Sequence, residues 1–280
     1  MPLYNRIVQL LVRVPGQAGV FIEDLRIRFQ VKKTNRGEPN LATIEVSNLA
    51  ESTRNALGKT GTVATLQAGY RDSNDGPRII AEMDVVDVRS IIVEPEVTTV
   101  IVCGDGVNAL TSNKASHSYK GGTSAKSIIA DVVKFAGLTL RDMAGVDDDT
   151  YNNGFSEAGP LRDILDKLTG KVNSRWSIQE GEVQITPLDK PASTSIVSLS
   201  PSSGLLGSPT RMNKIGEPRS PGQKDGWVAT SLLRPDIKPD SIVKIESRQV
   251  NGQFRVESVT HTGDNRGEEF TTVLEVVEYD

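Results

Sequence analysis

Between residues 23 and 34 the chain alternates apolar and polar positions, with Leu25, Ile27, Phe29 and Val31 on one side and Arg26, Arg28, Gln30 and Lys32 on the other. A period of two predicts a half-buried strand, here with a wet basic face. The stretch "NRGEPN" follows as a turn, since Asn, Gly and Pro each favour turn geometry. In "LATIEVSNLAESTRNAL" the alternation resumes at Ala42, Ile44 and Val46, and then the period changes abruptly. Residues 51–57 read as a short helix, with Ser52 or the polar residues before it as the cap and Gly58 as the stop. "TVATLQAGY", "RIIAEMDVVDVRSIIV" and "EVTTVIVCGDG" are further strands, the second long enough to hold a bulge, with the turn "RDSNDGP" between the first two. The opening run "MPLYNRIVQLLVRVPG" carries Arg6 and Arg13 and has no continuous apolar core, so it reads as a first strand and not as a signal peptide. About six strands with one short helix predict a barrel or sandwich over residues 1–103.

The pattern then changes. Ile128, Ile129, Val132, Val133 and Phe135 recur at helical spacing behind Thr123 or Ser124 as the cap, and Leu161, Ile164, Leu165 and Leu168 do so behind Pro160. "SRWSIQEGEVQITPL" is a hairpin turning at Glu-Gly. Residues 104–190 therefore form a small α/β domain. Residues 187–226 are rich in proline and glycine, which by composition alone reads as a linker. Strands resume in "SIVKIES", "FRVESVTHT" and "EEFTTVLEVVE", with Asn251-Gly252 as a hairpin turn, so residues 191–280 form a second β domain. The predicted class is mainly β with a small α/β insert.

Composition narrows what such a chain does. The 280 residues are 37% hydrophobic and 5% aromatic, which predicts modest cores. A net charge of −4 provides no general attraction for nucleic acid or an anionic membrane. No window approaches the ~20 apolar residues that span a bilayer. The single Cys103 ends an apolar strand and reads as a buried structural thiol in a chain made and folded in a reducing cytosol.

Each candidate motif for chemistry lacks its required context. Gly104, Gly106 and Ala109 have dinucleotide-fingerprint spacing, but no amphipathic helix or strand-ending acid follows, so a plain turn is expected. Asp147, Asp148 and Asp149 begin an acidic run, yet Asn152 and Ala158 stand where a calcium loop needs Gly and Glu, which leaves a solvated loop. His117, placed in a polar loop, and His261, near the end of a strand, have no nucleophile elbow beside them. One cysteine and two separated histidines do not make a structural zinc site. Trp176 and Trp227 read as core or interface aromatics. No cofactor, metal or catalytic residue is predicted.

The block "PNLATIEVSNLAESTRNAL…GTVATLQAGY" resembles the N-terminal barrel of baseplate hub proteins from contractile-tailed bacteriophages. "LSPSSGLLGSPTRM" with "LLRPDIKPDSIVKIES" and "NGQFRVESVTHTGDNRGEEFTTVLEV" is similar to their C-terminal barrel, and "VCGDGVNAL" to "AKSIIADVVKFAGL" to their middle domain. The resemblance implies two tube-like β-barrels flanking an α/β domain, with residues 187–226 as the irregular entry to the second barrel. It implies a homotrimer that joins a sixfold tail tube and its initiator proteins to a threefold central spike among other baseplate proteins. DNA passes without specific binding and no membrane is engaged. It further implies assembly in the host cytoplasm and residence in the virion. The shortness of the chain implies no appended lysozyme. Related hubs occur in phage-tail-like bacteriocins and secretion systems.

Two other functions compete with this reading. A β-barrel module for single-stranded nucleic acid would use Arg26, Arg28 and Lys32, but their face lacks stacking aromatics apart from the inward Phe29. A peptidoglycan hydrolase would need a carboxylate pair, and Glu246, Glu257, Glu268 and Glu269 have no distinguishing context. In the hub, the acidic stretch "AEMDVVDVRSIIVEPE" provides candidate channel-lining carboxylates, Glu82, Asp84 and Asp87, which would repel passing phosphates. An ordinary solvated outer face is the competing reading.

Overall fold

The computed structural model describes residues 5–71, 76–112, 114–141, 143, 145–193, 195–212 and 226–279. The expected turn after Tyr70 and much of the proline-rich stretch before Gly226 lie outside them. Two compact units divide the chain, one formed by residues 1–34, 41–103 and 193–280, the other by residues 35–40 and 104–192.

The first half of the first unit contains β1 (Arg6–Arg13), β2 (Val20–Ile22), β3 (Ile27–Thr34), β4 (Leu41–Ser47), α1 (Glu51–Leu57), β5 (Val63–Tyr70), β6 (Arg78–Val93) and β7 (Glu96–Gly104). The alternation predicted for β3 is observed, with Ile27, Phe29 and Val31 buried and Arg28, Gln30 and Lys32 exposed. The change of period after β4 has a definite cause. Asn48 adopts a left-handed φ of 56°, which Asn tolerates better than most side chains. Its amide donates to the Val97 carbonyl at 2.7 Å, and its Oδ1 accepts from the Val97 amide at 3.0 Å. This two-point clasp to β7 ends the strand and turns Leu49 into the core. Helix α1 then buries Leu57 completely, a burial that stabilises by roughly 1.5–3 kcal/mol. Its N-cap is Ala50 with no side-chain hydrogen bond, so the expected polar cap is corrected. Arg54 instead reaches back to the Leu49 carbonyl at 2.7 Å.

The second unit holds α2 (Val107–Ser112), β8 (Lys114–Tyr119), β9 (Thr123–Ser124), α3 (Ala125–Phe135), β10 (Thr139–Leu140), β11 (Thr150–Tyr151), β12 (Phe155–Pro160), α4 (Leu161–Lys171), β13 (Ser174–Gln179) and β14 (Glu182–Pro187). Ser124 caps α3 as predicted, accepting from the Ser127 amide. The apolar stripes of α3 and α4 pack with Trp176 and Ile178 in one core, except for Phe135, which is exposed. The β13–β14 hairpin turns at Glu180 and Gly181, both at positive φ, as a two-residue turn of this hand requires. Residues 35–40 belong to this unit because "NRGEPN" packs there. Gly37 lies so close to the Trp176 ring that an added Cβ would sit 2.7 Å from it. Asn40 donates to the Ile178 carbonyl at 2.6 Å.

The C-terminal part adds β15 (Ile196–Leu199), a 3-10 turn (Pro201–Ser203), β16 (Leu205–Arg211), β17 (Gly226–Leu232), β18 (Ile242–Glu246), β19 (Asn251–Asp264) and β20 (Phe270–Glu278) to the first unit. Asn251-Gly252, expected as a hairpin turn, begins β19, and the turn itself lies at residues 247–250. Ser247 makes that turn, since its hydroxyl donates to the Val250 carbonyl and accepts the Val250 amide.

Among the described residues the strands of the first unit join one sheet in the order β16-β17-β20-β19-β3-β4-β7-β6-β5-β1-β2, with β15 and β18 branching from β19. The mainly β class with an α/β insert is thus observed. Strand β19 is the joint. Its beginning pairs with β18, a register shift falls between Val256 and Ser258, and its end pairs antiparallel with β3. The turn after β19 fastens this joint. Asn265 Oδ1 accepts from the Ile27 amide at 2.9 Å, and its Nδ2 donates to the Leu25 carbonyl at 2.8 Å. Arg6 donates to the carbonyls of Gly267 and Glu268 and lies over the Phe270 ring.

Candidate assembly surfaces

The outer face of β19, β3 and β4 carries its side chains in rows set by register. Asp264, Arg28 and Glu45 form one row, Thr262, Gln30 and Thr43 the next, and Thr260, Lys32 and Leu41 the third. A groove of about 670 Å³ opens over the first two rows, with Glu268 and Glu269 at its rim. The Arg28 and Glu45 side chains meet at 2.6 Å. Arg26 grips both Asp264 oxygens, the shorter contact at 2.6 Å. Burial raises the Asp264 carboxyl, but the Arg26 hydrogen bond, the Arg266 amide and nearby guanidinium charge outweigh it and hold the pKa below the ordinary 3.8. Two of the three cations of the predicted basic face are therefore paired with carboxylates, Arg26 with one far away in sequence. In the groove four carboxylates face two guanidiniums, and no exposed aromatic offers a stacking surface. That arrangement does not hold a phosphate chain.

Glu82 and Asp84 alternate with Ala81 and Met83, which enter the core, and Asp87 is exposed. Glu82 pairs with Arg13 at 2.6 Å, so this carboxylate is already matched by a cation. Beyond Asp84, Val85 and Val88 still pack against the core, while Val86, Ile91, Ile92 and Val93 are exposed.

The remaining candidates for chemistry are structural. Burial, with the Asp84 charge added, pushes the Cys103 thiol up to about 12, which removes its thiolate at neutral pH. His117 lies in β8, not in a loop, and is buried against Tyr119 and Phe135. His261 is buried within β19, where Nδ1 and the Thr272 hydroxyl lie 2.9 Å apart. Burial, reinforced by the Lys33 charge, pushes its pKa down to about 3. The turn after β7 leads into α2, a helix the sequence reading omitted, and Asp105 accepts the amides of Glu180 and Gly181, each at 2.8 Å. The Asp147–Asp149 stretch is a capping network. Asp148 accepts from the Ser124 hydroxyl and the Lys126 amide at the start of α3, and Asp149 pairs with Lys171 at 2.5 Å. Glu246 pairs with Lys244 at 2.6 Å, and Glu257 lies 4.0 Å from Arg255. No group of His, Cys, Asp and Glu among the described residues is arranged to hold a metal ion. No helix among them is long and apolar enough to cross a membrane.

No family model and no curated protein matches the sequence. Solved structures do match the fold. The 43 kDa tail protein of prophage MuSo2 from Shewanella oneidensis superposes with a TM-score of 0.68 at 12% identity, covering 97% of each chain. The chain has a phage tail-protein fold. A tail protein from Neisseria meningitidis MC58 shares this fold with a TM-score of 0.66 at 10% identity, covering 98% of this chain and 97% of that one. So does an Escherichia coli component of the type VI secretion system that exhibits structural similarity to the T4 tail proteins gp27 and gp5. Its TM-score is 0.63 at 9% identity, over 96% of this chain and 77% of that one. The superpositions span nearly the whole chain.

Proposed function

We propose that this chain is a structural component of a phage-type tail baseplate, a homotrimeric hub that joins the sixfold tail tube to the threefold central spike. The observation that carries this reading is the near end-to-end match of its fold to phage tail proteins, 97% of both chains in the Shewanella case. Residues 1–103 and 191–280 serve as two tube-like barrels of related topology, and residues 104–190 stand between them. Six barrels in a trimer match the symmetry of a tube, while three chains match that of a spike. The hub contacts tube-initiator and other baseplate proteins, is assembled in the host cytoplasm and resides in the virion. Its role is mechanical and not catalytic, in keeping with the buried histidines and the protonated, buried thiol. A secretion-system hub is the second reading, favoured by the likeness to the Escherichia coli component.

Part of the channel for DNA and tape measure passes through the trimer. Glu82, Asp84 and Asp87 are proposed to line it, supported by the alternation that directs Ala81 and Met83 into the core and leaves Glu82 and Asp84 on the other side, and by the exposure of Asp87. Analytical ultracentrifugation at micromolar concentration, with and without co-expressed tube and spike proteins, tests the hub. A trimer or a larger complex is expected. A monomer under both conditions overturns the reading.

A further inference from the structure

The groove over β19, β3 and β4 measures about 670 Å³, within the range of ~300–1,000 Å³ typical of ligand sites. Its walls are held by the protein's own ion pairs. Arg26 donates to both oxygens of Asp264 through Nε and Nη2, and Arg28 meets Glu45 at 2.6 Å. Each guanidinium of the lining is thereby engaged by one carboxylate. The two further carboxylates of the lining, Glu268 and Glu269, are exposed and make no ion pair among the described residues. Four carboxylates less two guanidiniums leave the lining at −2. Arg6 meets the same turn only through the carbonyls of Gly267 and Glu268, and neither it nor Lys32 lines the groove.

Beside the charged row runs the uncharged row Thr262, Gln30 and Thr43. Among the described residues these three side chains make no hydrogen bond to the protein, so two hydroxyls and one carboxamide remain open to a ligand. Charge decides the class of occupant. A phosphate chain is repelled by the surplus carboxylates. A bare metal ion is not matched, since no three His, Cys, Asp or Glu side chains among the described residues converge to hold one. An extended peptide with a cationic side chain fits on both counts. Neighbouring strands lie ~4.8 Å apart, so the three strands give a floor ~10 Å across, the length of about three extended residues. Arginine suits the two carboxylates better than lysine, because its planar fork donates in several directions at once.

We propose that this groove binds an extended, arginine-bearing segment of a partner protein. Glu268 and Glu269 hold the guanidinium, and Thr262, Gln30 and Thr43 hydrogen-bond the backbone of the segment. The proposal goes beyond the hub reading and does not depend on it, so its failure leaves the trimer and its test untouched.

The test uses the full chain and an acetylated, amidated pentapeptide with arginine at its second and fourth positions, titrated by calorimetry at low salt. Binding tighter than about 1 mM is expected, weakening as salt is added. The same peptide with citrulline in place of arginine keeps the shape and most donors but loses the charge, and is expected to bind at least about tenfold more weakly. Glu268→Gln with Glu269→Gln is expected to weaken the arginine peptide at least about tenfold at unchanged melting temperature, since both side chains are exposed and unpaired among the described residues. Glu51→Gln with Asp131→Asn removes the same charge from residues that do not line the groove, and is expected to leave binding unchanged. Gln30→Arg places a cation in the groove and is expected to abolish binding. Equal weakening by the two double variants shows diffuse attraction and overturns the proposal. So does a citrulline peptide that binds as tightly as the arginine peptide, or an arginine peptide that does not bind at 1 mM. If the peptide does not bind and Glu268→Gln with Glu269→Gln changes the oligomeric state, the occupant is a second copy of this chain and the proposal falls.

Discussion

Replacing Asn265 by Ala removes two hydrogen bonds at the β19–β3 joint, the one its Oδ1 accepts from the Ile27 amide and the one its Nδ2 donates to the Leu25 carbonyl. Ile27 is fully buried, and both bonds lie in a partly buried setting. Each such bond contributes about 1 kcal/mol net, and a backbone group left without a partner adds a further desolvation cost, so a loss of roughly 2–3 kcal/mol is expected. The backbone bond from the Asn265 amide to the Ile27 carbonyl remains and limits the damage. For a chain of this size the loss corresponds to a fall of roughly 4–10 °C in the melting transition of the first unit. Differential scanning calorimetry at pH 7 measures it. The companion variant Asn265→Asp is almost isosteric but sets an oxygen against the Leu25 carbonyl and a charge beside Asp264, so it is expected to be no milder than Ala. A shift below about 1 °C for Asn265→Ala, or a near-native Asn265→Asp, would refute the claim that this side chain fastens the two β segments.

Asn48→Ala forfeits the bond to the Val97 amide and strains the left-handed backbone, and is expected to cost about 2 kcal/mol. Asn48→Gly keeps the backbone freedom and is expected to cost about half of that, measured by urea unfolding. His261 has a folded pKa pushed down to about 3 from 6.5, so below pH 6.5 the unfolded chain takes up a proton that the folded chain refuses. The stability present above pH 6.5 is therefore lost progressively as pH falls toward 3, and His261→Gln should flatten the fall in melting temperature between pH 7 and pH 5. Asp264 acts lower, since its depressed pKa gives stability that is lost as pH falls below 3.8, and Arg26→Met should weaken that acid dependence. Cys103, buried with its thiol pushed up to about 12, should resist maleimide in the native protein at pH 7.5 and react on unfolding; rapid native labelling would contradict its place in the core.

The resemblance to tail proteins was legible in the chain because its carriers are local. The alternation of β3 and β4, the stop at Asn48-Leu49, and the stripes of α3 and α4 each depend on residues a few positions apart, and period alone decides which face is buried. The candidate surfaces were only half legible. Arg26 and Arg28 were visible as a basic face, but Arg26 is neutralised by Asp264, 238 residues away, and no local pattern records that pairing. The same limit explains the misplaced turn at Asn251-Gly252, where Ser247 hydrogen bonding decided the turn, and the acidic Asp147–Asp149 run, whose work is to cap α3 and hold Lys171. It explains the assignment of residues 35–40 as a plain turn, since only packing against Trp176 makes that loop part of the second unit. The sequence by itself determined the long strands and the two amphipathic helices α3 and α4, and most of the faces they bury, because those follow from side-chain period and backbone preference. Only the tertiary structure decided that β19 leaves β18 for β3, that one sheet joins both β segments, and that β6 outruns β5. Strand pairing is a choice among distant partners, made by the burial and hydrogen bonding of the whole unit.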